Sequence, residues 1–254
     1  MKFGCLTGPE RNLCRSLYCS GITRGNSVSS LYRVNIANGQ TTLITNNVGN
    51  KVINALGYNV LDNYLYGYGT GDRTINRIGP DGSSQVIATL PAGVTGIVAG
   101  DIDINGQYWI TAQGVNYYHI DLAPSSNTYG QIIESGNTNL ATGFNIIDWV
   151  ALAAAPSVLY AVTSGSSQTQ TYLMRFDKGT KQFTNLASYG SIAGNTWGAG
   201  YSTTDGNIYA SDNVSGQIWQ FPIDGSAPSL QAQGNPTSVN DEARCAYNGA
   251  PITR

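Results

Sequence analysis

Three aspartates fall at the start of strand-like, apolar sequence rather than in turns. They are Asp101 in Gly100-Asp101-Ile102-Asp103, Asp148 in Asp148-Trp149-Val150-Ala151 and Asp241 in Asn240-Asp241-Glu242-Ala243. Carboxylates in such places have three chemical uses. They accept hydrogen bonds from a neighbouring strand, they hold a cation such as calcium, or two of them act as acid and base across a glycosidic bond. The commonest use is the first. If the chain is an enzyme, Asp101, Asp148 and Asp241 are the catalytic candidates, and they are also the candidate calcium ligands; no other cofactor is implied. Asp62, Asp81, Asp177, Asp205 and Asp224 sit instead in turn-forming sequence and read as ordinary turn residues.

Aromatic residues beside amides make a second constellation: Tyr68, Tyr117, Trp149 and Trp197, with Asn145 and Asn195 among the nearby amides. An aromatic platform flanked by amides can hold a sugar, stacking on its apolar face and bonding its hydroxyls. The two tyrosines fall in or beside expected loops, whereas Trp149 and Trp197 lie on strand-like segments, where packing is the simpler reading. His119 is the only histidine, so a Ser-His-Asp relay would have to use it. Cys5, Cys14, Cys19 and Cys245 fit no zinc spacing and read as two disulfides. Three pairings are open, of which Cys5–Cys245 with Cys14–Cys19 is favoured.

What positions these groups is a repeat. A short strand recurs as Leu31-Tyr32-Arg33-Val34-Asn35, Ile75-Asn76-Arg77-Ile78-Gly79, Tyr117-Tyr118-His119-Ile120-Asp121, Leu173-Met174-Arg175-Phe176-Asp177 and Ile218-Trp219-Gln220-Phe221-Pro222. Its copies lie 42–56 residues apart, the length of one four-stranded β-propeller blade. Upstream of four copies lies a small or polar strand, a turn and an aromatic-ended strand, with Asn105-Gly106 and Asp205-Gly206 as hairpin signals. No apolar 3.6-residue pattern runs past about ten residues, so helices are not expected. The predicted fold is all-β, a single domain over residues 1–254: one propeller of five four-stranded blades, with six as the alternative. The first repeated strand lacks an inner strand before it, and Asn240-Asp241-Glu242-Ala243-Arg244-Cys245-Ala246 has no blade after it. The C-terminal strand therefore completes the N-terminal blade, leaving no exposed edge at the seam.

Composition narrows the partners. Charged residues are 11% of the 254, net charge is −2, and the lysines are only Lys2, Lys51, Lys178 and Lys181. Nothing forms a basic stripe for nucleic acid, and no apolar run approaches a membrane span. A polar, weakly charged surface with four cysteines and the sequon Asn213-Val214-Ser215 reads as a secreted, extracellular protein. Lys2-Phe3-Gly4-Cys5 leads into no apolar run, so no signal peptide is read at the start.

The segments Asn54-Ala55-Leu56-Gly57-Tyr58, Asp62-Asn63-Tyr64-Leu65-Tyr66-Gly67, Gly100-Asp101-Ile102-Asp103-Ile104-Asn105-Gly106-Gln107-Tyr108-Trp109 and Gln217-Ile218-Trp219-Gln220-Phe221-Pro222-Ile223 resemble a family of secreted fungal β-propeller proteins. Similar repeats occur in large bacterial surface proteins. The ending Asn240-Asp241-Glu242-Ala243-Arg244-Cys245 resembles it too, with Glu242 where that family often has glycine. The resemblance implies fold and secretion and carries over no catalytic residue.

In a propeller, the loops entering the inner strands and those joining second to third strands share one face around the channel, the expected ligand site. Asn54, Asp101, Asp148, Trp197 and Asp241 converge there. The expected function is a secreted, monomeric binding protein for a glycan or another cell-surface component. The alternatives are a glycan-active hydrolase using the channel carboxylates, and a structural or protein-interaction propeller. Face loops of unequal length and content favour one central site over five equivalent ones.

Overall fold

The computed structural model describes residues 18–24, 28–237 and 240–245, and there the repeat becomes strands in register. The first three are β1 (Tyr18–Arg24), β2 (Ser29–Asn35) and β3 (Thr41–Thr45). The next blade is β4 (Ile53–Asn59), β5 (Tyr64–Gly69), β6 (Thr74–Ile78) and β7 (Ser84–Thr89). A third follows as β8 (Ala99–Ile102), β9 (Gln107–Thr111), β10 (Asn116–Asp121) and β11 (Ile132–Asn137). The fourth is β12 (Val150–Ala151), β13 (Val158–Ser164), β14 (Thr171–Asp177) and β15 (Gln182–Ser188). The fifth is β16 (Trp197–Ser202), β17 (Asn207–Asp212), β18 (Gln217–Pro222) and β19 (Ser229–Gln233). The last strand, β20 (Asn240–Ala243), returns to the first blade, whose order is β20-β1-β2-β3.

Five four-stranded antiparallel sheets result, and their inner strands touch in the cyclic order β4, β8, β12, β16, β20 and back to β4. The ring closes as expected: Ile22 pairs with Asp241 and Ser20 with Ala243 across the seam. No helix among the described residues is long and apolar enough to cross a membrane. Cys5 and Cys14 lie outside the described residues, as does the side chain of Cys19, so the expected pairing does too; Cys245 is buried in the core at the seam.

The core is five wedges, one between each pair of neighbouring blades. Tyr66 and Ile75 pack on Ile102 and Tyr108 between blades two and three. Trp109 and Tyr117 meet Phe176 and Trp149 between three and four. Val150 and Leu173 meet Trp197 and Phe221 between four and five, and Val34 and Ile36 meet Tyr201 and Tyr209 between five and one. Because each blade is covered on both sides, inner strands are buried at nearly every residue, and β4 is buried along its whole length.

Inner strands approach so closely that glycine is required at some positions. A Cβ on Gly57 would lie 2.8 Å from Ile102 Cγ1 and 3.0 Å from the Ile102 nitrogen. Gly57→Ala is expected to cost about 1–3 kcal/mol through overpacking, read as a lower urea midpoint at unchanged slope.

The repeated slot has a structural use. Arg77, His119, Arg175 and Gln220 pair across their blades with Tyr66, Trp109, Tyr160 and Tyr209 of the second strands. Arg77 serves its own blade. Its guanidinium lies 3.6 Å over the Tyr64 ring, and its Nε is 3.2 Å from Asp62. In the hairpin turns Asn105-Gly106 and Asp205-Gly206 only the glycines have positive φ (74° and 80°). The turn aspartates do serve turns; Asp81, Asp177, Asp205 and Asp224 each accept backbone N–H groups two residues on.

Candidate functional site

The channel carboxylates are ties between blades. Asp101 Oδ2 accepts the Ala151 N–H of the next blade at 2.8 Å, and its Oδ1 accepts the Ile102 N–H at 2.8 Å. Asp148 repeats the pattern, with Oδ2 accepting Gly200 N–H at 2.6 Å and Oδ1 accepting Trp149 N–H at 2.8 Å. Asp241 Oδ2 accepts Leu56 N–H at 2.9 Å, joining blade one to blade two. Each side chain reaches the following blade in the same rotational sense. Asn54 differs, its Nδ2 donating to the Ile97 carbonyl at 3.3 Å.

Burial dominates the electrostatics of these acids. It pushes Asp101 up to about 7, and it raises Asp148 well above the usual carboxylate range, with repulsion from Asp241 and Asp101 adding to the rise. A void of about 10 Å³ lined by Asp148, Val150, Gly200 and Tyr209 is at the lower limit for one water. Both oxygens of Asp101 and of Asp148 are thus committed to amides, and the space beside Asp148 admits no sugar. Among the described residues, no group of three His, Cys, Asp or Glu side chains is arranged to hold a metal ion.

His119 forms no nucleophile relay. Its ring stacks on Trp109 at 4.0 Å and 15°, and its Nε2 lies 2.8 Å from Gln107 Oε1. Beside it, Lys178 and Asp103 form a buried ion pair at 2.7 Å, and Lys181 pairs with Glu134 at 2.8 Å.

The expected aromatic platform lies inside the molecule. Tyr68 and Tyr117 are on strands, not in loops, and are 1% and 5% exposed. Tyr68 donates its hydroxyl to the Val94 carbonyl, and Tyr117 donates to Glu134. Trp149 donates its indole N–H to the Trp109 carbonyl and Trp197 to Thr171 Oγ1, both within the interblade wedges. The physical reason is the double-sided burial of a blade, which leaves few strand aromatics facing water.

One cleft gathers the rest of the candidate set. It has a volume of about 260 Å³ on the face where inner strands begin, and Asn145, Asn195 and Trp197 line it. Three blades contribute. Asn145 precedes β12, Ser166 and Gln168 come from the β13–β14 loop, Asn213 from the β17–β18 loop, and Asn240 opens the closing strand. All these lie on the face expected from the repeat.

The cleft is built on a hydrogen-bonded floor. Trp197 Nε1 donates to Thr171 Oγ1, which donates to Asn195 Oδ1 at 2.8 Å. Asn195 Nδ2 donates to Ser191, and Ser164 and Thr163 donate to the carbonyls of Asn195 and Asn145. Asp212 joins two loops of the rim by accepting the N–H groups of Gly194, Thr196 and Ser215 at 2.7–3.0 Å. Asn195 is therefore a scaffold residue whose side chain is committed, while Asn145 and Gln168 are exposed. Sequence reasoning missed Asp212 and Asn240 as parts of the site. For Asn213 the only signal was the sequon.

Fold and cleft together define a five-bladed β-propeller with a small, amide-lined cleft on its loop face. The chain belongs to the family described as a repeat of unknown function, DUF6923, which it matches over residues 18–247. No curated protein matches the sequence. Among solved structures it is similar to a nidogen/laminin complex, at 13% identity and a TM-score of 0.53, covering 86% of this chain and 78% of that one. It is also similar to a catalytically inactive virginiamycin B lyase from Staphylococcus aureus with quinupristin, at 13% identity and a TM-score of 0.50, covering 92% and 74%. At such identity the likeness shows the fold alone.

Proposed function

We propose that this is a secreted binding protein that takes carbohydrate in the cleft between blades four, five and one. The observation that carries the reading is the lining itself. Amides and hydroxyls line the pocket together with Ile147 and Trp197, and no charged residue is among the described residues that line it. Its 260 Å³ is near the lower end of the roughly 300–1,000 Å³ typical of small-molecule sites. Amide side chains match sugar hydroxyls because each offers donors and an acceptor. The hydrolase reading has less support, since Asp101, Asp148 and Asp241 bond backbone amides and the void beside Asp148 is too small for substrate.

The test is binding of the full chain to a glycan array, followed by Asn145→Ala and Gln168→Ala. Both side chains are exposed, so the fold should stay intact while affinity for the retained glycan falls on the order of tenfold, the equivalent of 1.4 kcal/mol. An array on which the parent retains nothing would sink the reading.

A further inference from the structure

Two amide oxygens in the cleft have no hydrogen-bond partner among the described residues: Asn213 Oδ1 and Asn240 Oδ1, both buried as atoms. They converge on Gly198. A Cβ built there would lie 2.3 Å from Asn213 Nδ2, 2.4 Å from Asn213 Oδ1 and 2.5 Å from Asn240 Oδ1. The glycine thus permits two amide side chains from different blades, both with unpaired oxygens, to crowd one point of the cleft wall. A buried acceptor without a donor is unfavourable, and structures normally satisfy it with water or a ligand.

We propose that Asn213 and Asn240 form an acceptor notch that selects an uncharged, hydroxyl-bearing ligand, a neutral rather than an acidic glycan, without calcium. This rests on the carbohydrate reading above and specifies it. The charge argument is direct: the lining of the cleft holds no Lys or Arg to receive a carboxylate and no Asp or Glu to share a cation. Two neutral carbonyls accept hydroxyl protons but cannot balance a charge. Asp212 lies close by, yet its oxygens accept amides of the rim loops. Since Asn240 opens the closing strand and Asn213 belongs to blade five, a ligand bonded to both also ties the closing strand to blade five. Occupancy should therefore raise the melting temperature of the whole chain.

The experiment uses unglycosylated full-length chain, because Asn213 heads the sequon Asn213-Val214-Ser215. The probes are neutral oligosaccharides and matched uronic-acid oligosaccharides, in buffer with EDTA. Neutral probes should bind and raise the melting temperature, acidic ones should bind at least tenfold more weakly, and calcium should change neither. Asn213→Ala and Asn240→Ala should each weaken neutral binding tenfold or more. If Asn240→Ala does not fold, Asn213→Ala and the charge preference of the parent still decide. Undiminished binding by folded Asn213→Ala, a preference for acidic probes, or a calcium requirement would overturn the notch and leave the carbohydrate reading standing. A parent that binds no sugar overturns both.

Discussion

A chain ended at residue 237 is expected to lose cooperative unfolding altogether. The missing strand β20 is the inner strand of blade one, pairing with β1 over Thr23–Asn240 to Ser20–Ala243. It also touches β16 and β4, so it closes the ring on both sides. With it go the Asp241 tie to Leu56, the Arg244 Nη1 bond to the Ser202 carbonyl at 3.2 Å, and the buried Ala243 and Cys245. Their combined loss is on the order of the whole stability of a domain, about 5–15 kcal/mol. It also leaves β1 as an open edge prone to aggregation. The measurement is calorimetry or far-ultraviolet circular dichroism on heating. A sharp transition near the parent temperature in the truncated monomer would show that the seam does not hold the ring.

The second large effect is on pH. Asp101 titrates at about 7 in the fold against an ordinary 3.8, because burial disfavours its charge. The neutral form is thus favoured by folding. Its contribution is complete below about pH 4 and is lost as pH rises through about 7, a difference on the order of 4 kcal/mol. Asp148 shifts in the same direction for the same reason. His119 opposes them: burial lowers its pKa from 6.5, so its contribution is present at higher pH and is lost as pH falls. The melting temperature is expected to drop between pH 5 and pH 8 by roughly 10 °C, taking 2–4 °C per kcal/mol for a chain this size. Asp101→Asn isolates the carboxylate. It should be less stable than the parent at pH 5, because one of the Ile102 and Ala151 amides loses its acceptor, and its stability should change less with pH. Equal slopes in parent and variant would mean that Asp101 titrates normally.

Much of the architecture was legible because a propeller repeats. A period of forty-odd residues between blades is a one-dimensional signal, and Asn240-Asp241-Glu242-Ala243 could be matched to the inner strands by pattern alone. The turn aspartates were legible for the same reason, since Asp81 or Asp224 bonds a backbone group only two residues away. Exposure was not. Tyr68 and Tyr117 sit beside loop-like sequence, but a blade has neighbours on both faces, so alternation does not separate buried from exposed positions.

The cleft shows the same division. Its face followed from which loops enter inner strands, and Asn145, Asn195 and Trp197 were named from residue type alone. Their different fates come from contacts far along the chain: Trp197 is held by Thr171, Asn195 by Thr171 and Ser191, and Asn145 is left open. Asn213 and Asn240 carried no binding signal, because what distinguishes them is convergence on Gly198. By itself the sequence determined the blades, the seam and the polar, weakly charged composition of the chain, since these depend on local pattern and composition. Only the tertiary structure decided which side chains face water and which carboxylates are already bonded, because both depend on how neighbouring blades press against each other.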